Sequence, residues 1–221
     1  MKPRFLISGA GIRAGKTMAG CALAFAFKVR GMRVGVMKPV QTGCVESGGA
    51  LAPEDAASIL AAASSDLPLD LACPYRYRST LAPAAAAAID DLAPPDFSAI
   101  ERAYREIEGR SDVMLVEDAG GIAAPIEWGR DYADLALGLG LEMILIVANR
   151  QDYVTAGALS IAYATLRGVP VRGFILNALD REASATIERD ASMLARASCA
   201  SCLGTVRFKE PLALNIVEKL L

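Results

Sequence analysis

Short apolar runs alternate along this chain with longer stretches in which apolar residues recur at helical spacing. Phe5–Ser8 is the first run, and Thr17–Arg30, apolar on most faces, predicts a helix after it. Arg33–Lys38 predicts a second strand. Pro53, followed by Glu54 and Asp55, opens an alanine-rich helix that runs to about Ala63. Phe97–Glu108 is amphipathic and is closed by Gly109. Val113–Val116, Met143–Ala148 and Val171–Leu176 are further continuous apolar strands, with helices over about Thr155–Arg167 and Ala183–Ala197. Strands that are apolar throughout and alternate with helices predict an α/β fold, a parallel sheet covered by helices on both faces in three layers. The alanine- and proline-rich stretch Leu81–Pro95 reads either as a short helix between proline stops or as a mobile surface loop. The pattern contains no repeat and no linker, and it predicts a single domain over residues 1–221.

Composition narrows the picture. The chain has 221 residues, 53% of them hydrophobic, and a formal net charge of −2. That is enough chain to bury a sizeable core, and the balance argues against disorder and against a nucleic-acid partner, which calls for a basic excess. No apolar run approaches the roughly 20 residues that span a bilayer. The start MKPRFLISGAG leads straight into a glycine loop and reads as a first buried strand, not as a signal peptide. Five cysteines, an odd number in a chain of this size, fit a reducing, cytoplasmic compartment better than a disulfide scaffold. Cys199 and Cys202 have C-x-x-C spacing, but one such pair without histidine cannot complete a four-ligand zinc site. The chain contains no histidine, which removes imidazole acid–base catalysis and Ser-His-Asp triads.

The chemistry concentrates in ISGAGIRAGKTMAG, residues 7 to 20. A phosphate-binding loop usually reads G-x-x-x-x-G-K-[ST]. Here Ala10 stands where the first glycine belongs, and Gly9 is one step earlier. The segment lies between a predicted strand and a predicted helix, where such a loop belongs. Gly11, Ile12, Arg13, Ala14 and Gly15 present backbone N–H groups, and the following helix start, through Met18, adds unpaired N–H groups and about half a positive charge. Lys16 is expected to reach the outer phosphates and Thr17 to hold Mg²⁺ through its hydroxyl. The expected fold is therefore P-loop NTPase-like.

A glycine one position early, G-x-x-x-x-x-G-K-T after an N-terminal strand, resembles the loop of the dethiobiotin synthetase family. VGVMKPVQTG (34–43) resembles the family's second strand with K-P-V-x-[ST]-G, LVEDAGGIAAPI (115–126) its E-G-A-G-G segment, and FILNAL (174–179) its late strand ending in an asparagine. PEDAASIL (53–60) and PYRYRSTLAPAAAA (74–87) are weaker matches, and together the resemblance covers nearly the whole chain. It implies an ATP-dependent enzyme that closes a ureido ring from 7,8-diaminononanoate and CO₂, with ATP as co-substrate and Mg²⁺ as cofactor. The alternatives are a related ligase acting on another amine and, from a different class, a nucleotide-switch ATPase.

The resemblance also implies residue roles. Lys38, emerging at the carboxyl end of its strand, would stabilise the carbamate and the transferred phosphoryl group; its bland reading is a solvated strand-end lysine. Thr42 would hydrogen-bond the carbamate or simply serve its turn. Asp55 and Glu117 are hard oxygen donors for Mg²⁺ beside Thr17; their bland readings are a helix-dipole acid and a capped strand end. Asn177 would read the base. Family members are typically homodimers in which the diamine's carboxylate meets a helix start of the neighbouring subunit, here about Tyr153–Gly157, so Tyr153 and Thr155 carry over as substrate-binding candidates, with Thr155 also readable as an ordinary N-cap.

The pattern departs from the family in places. Ala10, Gly11, Ile12 and Arg13 replace hydroxyl-bearing and acidic residues, and alanine follows Pro83 where the family has histidine. Asp118 stands where the family has glycine. Neighbours on an extended chain face opposite ways, so Asp118 is expected either not to share the metal with Glu117 or to take it in Glu117's place.

Overall fold

The computed structural model describes residues 2–221. Six parallel strands form the central sheet: β1 (Arg4–Ala10), β2 (Val34–Met37), β3 (Val113–Glu117), β4 (Glu142–Asn149), β5 (Val171–Ala178) and β6 (Cys202–Val206), in spatial order β6-β5-β4-β1-β3-β2. Five of them lie where the apolar runs predict. The sixth was not anticipated, because Cys202–Val206 is an edge strand, only partly buried and interrupted by Gly204, and so lacks the continuous apolar signature.

Alternation along the strands assigns their side chains to two cores. Leu6, Val116, Leu145 and Leu176 face one side, where α5 (Phe97–Gly109), α6 (Tyr132–Leu139), α7 (Tyr153–Leu166) and α8 (Arg181–Ser198) supply Tyr104, Ala136, Ile161 and Leu194. Phe5, Ile7, Leu115 and Ile146 face the other, against Leu23 and Phe27 of α1 (Lys16–Val29) and Ile59 of α2 (Glu54–Ala63). Helices on both faces of a parallel sheet are the predicted α/β arrangement, of P-loop NTPase type. Two short helices complete the set, α3 (Leu69–Ala72) and α4 (Pro83–Ile89). α4 settles the ambiguous alanine-rich stretch as a helix, started by a proline at its first position. No helix among the described residues is long and apolar enough to cross a membrane.

α6 was missed at the sequence level because YADLALGL is short and nearly all apolar, without a polar face to reveal its period. Its start is specified instead by Asp131, whose carboxylate accepts from the N–H groups of Ala133 and Asp134 while Asp134 returns a bond to the Asp131 N–H. Asp131 also accepts from Arg167 Nη1 at 2.7 Å and from the Tyr163 hydroxyl, so the cap of α6 is tied to the far end of α7.

Candidate nucleotide-binding site

The carboxyl ends of β1, β2, β3 and β5 converge on one side of the sheet, where parallel sheets present ligand sites. The loop from β1 to α1 closes on Gly15, which precedes the helix with φ +96°. A Cβ there would stand 2.4 Å from Asn177 Nδ2, so both conformation and space require glycine. The Asn177 amide donates to the Ala14 carbonyl at 3.0 Å and so fastens the end of β5 to the loop. Lys16 lies back across Gly9, whose missing side chain leaves it room: a Cβ on Gly9 would sit 3.0 Å from the lysine Nζ.

β3 ends in two acids that face opposite sides of the sheet, as alternation requires. Glu117 follows Leu115 toward α1. Its Oε1 accepts from the Thr17 hydroxyl at 3.0 Å and from Lys38 Nζ at 2.6 Å. Lys38 also pairs with Asp55 Oδ2 at 2.5 Å. Gln41 makes this possible from behind: its buried Oε1 accepts from the Ala56 N–H at 3.2 Å and holds the start of α2, and with it Asp55, against the strand end. Burial opposes the charge on Lys38, but Glu117 and Asp55 outweigh it and hold the ammonium above its ordinary value. Burial pushes Glu117 upward against the pull of Lys38.

Asp118 turns the other way and is fully buried. Its backbone N–H donates to the Ile7 carbonyl at 3.1 Å, and its Oδ1 accepts from the Gly121 N–H at 3.1 Å. Lys16 Nζ stands 3.6 Å from the same oxygen. Gly121 has φ +104°, and a Cβ on it would meet the Gly9 carbonyl at 2.8 Å, so the segment after β3 is packed directly on the end of β1.

Lys16, Thr17, Lys38, Asp55, Glu117 and Asp118 line a cavity of about 700 Å³ together with Ile12, Arg13, Met18 and Thr42, whereas Asn177 and Gln41 do not line it. Ile12, 78% exposed, points largely to solvent. Gly11 lines a neighbouring apolar cavity of similar volume, walled by Ile122, Leu159, Tyr163 and Leu166 and joined to the first through Ala82 and Gly120. Tyr153 and Thr155 are elsewhere: Tyr153, at the start of α7, is half-buried against α8, its hydroxyl 3.6 Å from Met193 Sδ, and neither residue lines the cavity of Lys16 and Lys38. Thr155 is the third residue of α7 and exposed, and the N-cap position belongs to Asp152, so the ordinary N-cap reading of Thr155 does not hold.

A hard divalent cation suits this donor set. Thr17, Asp55 and Glu117 line the same cavity, and Glu117 Oε2 is buried with no hydrogen-bond partner among the described residues. Sequence reasoning missed the Lys16–Asp118 pairing and the bracing role of Gln41. The signal available for Gln41 was a polar residue interrupting an apolar run inside K-P-V-Q-T-G; Asp118 stood out only as a departure, with nothing to indicate its partner.

Solved structures with the same fold include a ParA family ATPase from Chlorobium tepidum TLS (10% identity, TM-score 0.55, over 100% of this chain and 89% of that one). The MinD cell division protein of Aquifex aeolicus is similar at 16% identity and TM-score 0.57, over 99% and 86% of the two chains. The septum site-determining protein MinD of Pyrococcus horikoshii OT3, complexed with Mg-ADP, is similar at 17% and 0.56, over 100% and 85%. At these identities the likeness speaks to the fold. Residues 3–214 match the AAA domain family profile, which places an ATP-binding, P-loop NTPase-type domain over nearly the whole chain. The chain belongs to this AAA domain family, the family that includes dethiobiotin synthetase.

Proposed function

We propose that the protein is an ATP-dependent dethiobiotin synthetase formed by a single domain. The observation that carries this reading is the meeting of Lys38, Glu117, Asp55 and Thr17 in the cavity ahead of α1, opposite Lys16. One amine of 7,8-diaminononanoate adds CO₂ and loses a proton to give a carbamate. A carbamate oxygen attacks the γ-phosphorus of ATP and ADP leaves. The second amine attacks the carbonyl of the mixed anhydride, the ring closes, and phosphate departs with the C–O bond. Such chemistry asks for positioning and for neutralisation of phosphate charge, not for imidazole.

In this reading Lys16 grips the outer phosphates, and Lys38 leaves its carboxylates to meet the carbamate and the transferring phosphoryl group. Thr42 hydrogen-bonds the carbamate, and Asn177 meets the base. Thr17, Asp55 and Glu117 hold Mg²⁺, which when bound neutralises charge on the phosphate oxygens. The adjoining apolar cavity suits an aliphatic substrate tail. Tyr153 and Thr155, remote from Lys38 in their own chain, serve the substrate carboxylate across a homodimer.

The test is direct. Bicarbonate, the diamine, Mg²⁺ and ATP are expected to give a product that has gained CO and lost two hydrogens, seen by mass spectrometry, and the gene is expected to rescue a bacterium that cannot make dethiobiotin. A second reading, a nucleotide-switch ATPase, is favoured by the fold shared with ParA and MinD proteins. Phosphate release indifferent to the diamine favours this reading, or a ligase acting on another amine, over the synthetase.

A further inference from the structure

We propose that Asp118 is a positioning residue for Lys16: it parks the loop lysine over Gly9, and a triphosphate has to draw the ammonium off this built-in anion before being gripped. The inference rests on the nucleotide-binding reading of the loop and concerns what sets its affinity.

The geometry makes Asp118 the fixed member of the pair. Its backbone is held by the Ile7 carbonyl and its Oδ1 by the Gly121 N–H, each at 3.1 Å, and its side chain has no solvent exposure. Lys16 is the member with freedom to turn, an unbranched chain laid through the space that Gly9 leaves open, its ammonium 3.6 Å from Oδ1 and its side chain 13% exposed against none for Asp118. The contact is long, and among the described residues Asp118 Oδ2 accepts no well-formed hydrogen bond, with the Ser8 hydroxyl beside the carboxylate. A buried carboxylate with one oxygen unsatisfied depends on the lysine for compensation, so drawing the ammonium away carries a cost that a phosphate has to offset.

The charge balance of the cavity points the same way. Arg13, Lys16 and Lys38 line it together with Asp55, Glu117 and Asp118. Lys38 engages Asp55 and Glu117 and Lys16 engages Asp118, while Arg13 makes no ion pair among the described residues. A polyanion therefore enters a cavity with no net charge of its own. Without the Asp118 charge the same walls carry one positive charge, and the loop lysine has nothing nearby to leave.

The experiment compares MgATP and AMP binding by calorimetric titration in the wild-type chain, in Asp118→Asn, in Lys16→Met and in the double variant. Asparagine keeps the size of aspartate and the acceptor for Gly121. The expected result is that Asp118→Asn binds MgATP about tenfold more tightly, leaves AMP binding unchanged, and produces no gain when Lys16 is methionine. MgATP binding by folded Asp118→Asn that is equal to or weaker than wild type overturns the proposal. So does a gain that AMP shares, or one that persists without Lys16. Should asparagine fail to fold, Asp118→Ser is judged by the same criteria. Binding that emerges only in the variant supports the proposal; no binding in either chain overturns it together with the nucleotide reading. Whether diamine is consumed does not enter, so failure of the synthetase assignment leaves a separate trace.

Discussion

Lys38 shows how much a single side chain depends on its surroundings here. It is 4% exposed, and an ammonium at that depth is retained only because two carboxylates flank it. Glu117→Ala and Lys16→Ala are each expected to abolish turnover in the coupled product assay. Glu117→Ala is also expected to lower stability, because it leaves Lys38 with a single, half-exposed partner. Arg13 has φ +56° and no ion-pair partner among the described residues; Arg13→Glu is expected to change diamine turnover, upward if the loop has drifted from a synthetase ancestor and downward if the arginine grips the nucleotide. The thiols offer an independent check of burial. Cys73 is buried, and desolvation, opposed by Arg76, pushes its thiol up to about 12. Iodoacetamide at mildly alkaline pH is therefore expected to label the exposed Cys199 and to leave Cys73 unmodified until the protein unfolds, as read by peptide mass spectrometry. At this scale the sequence was legible in that Lys16, Thr17, Lys38 and Glu117, singled out by residue type and flanking motif, line one cavity. The opposite facing of Glu117 and Asp118 was legible from alternation; the partner each buried group meets was not, as for Asp118 with Lys16 and Gln41 with the Ala56 N–H.

Among the elements, the strand–helix alternation could be read directly because fully buried strands are uninterrupted apolar runs and amphipathic helices carry their period openly. α5 is the clearest instance. α6 and β6 escaped for opposite reasons, the first being too uniformly apolar and the second too exposed. What secures α6 is polar: the Asp131 cap and its links to Arg167 and Tyr163. Tyr163 lines the apolar cavity, so this cap also fixes a wall of the proposed substrate site. Asp131→Ala is expected to cost about 1–2 kcal/mol through loss of the cap, seen as a lower midpoint in thermal denaturation, and to weaken binding of the diamine more than that of nucleotide.

At the scale of the whole molecule, α7 presents Leu159 and Leu166 at 65% and 82% exposure along the apolar cavity. In the proposed homodimer that face meets the partner, and Leu166→Glu is expected to move the sedimentation coefficient from that of a dimer to that of a monomer while nucleotide binding persists. The fold was legible in outline; the relation between distant segments was not, because no local pattern announces a contact across the chain. The strap from Asn177 to Ala14 is the strongest case, joining residues 163 positions apart. Its consequence concerns folding: a chain truncated before β5 keeps every residue of the glycine loop and still lacks the bond that fastens it. The shape of the loop is thus a property of the assembled sheet and not of the segment that carries the glycines.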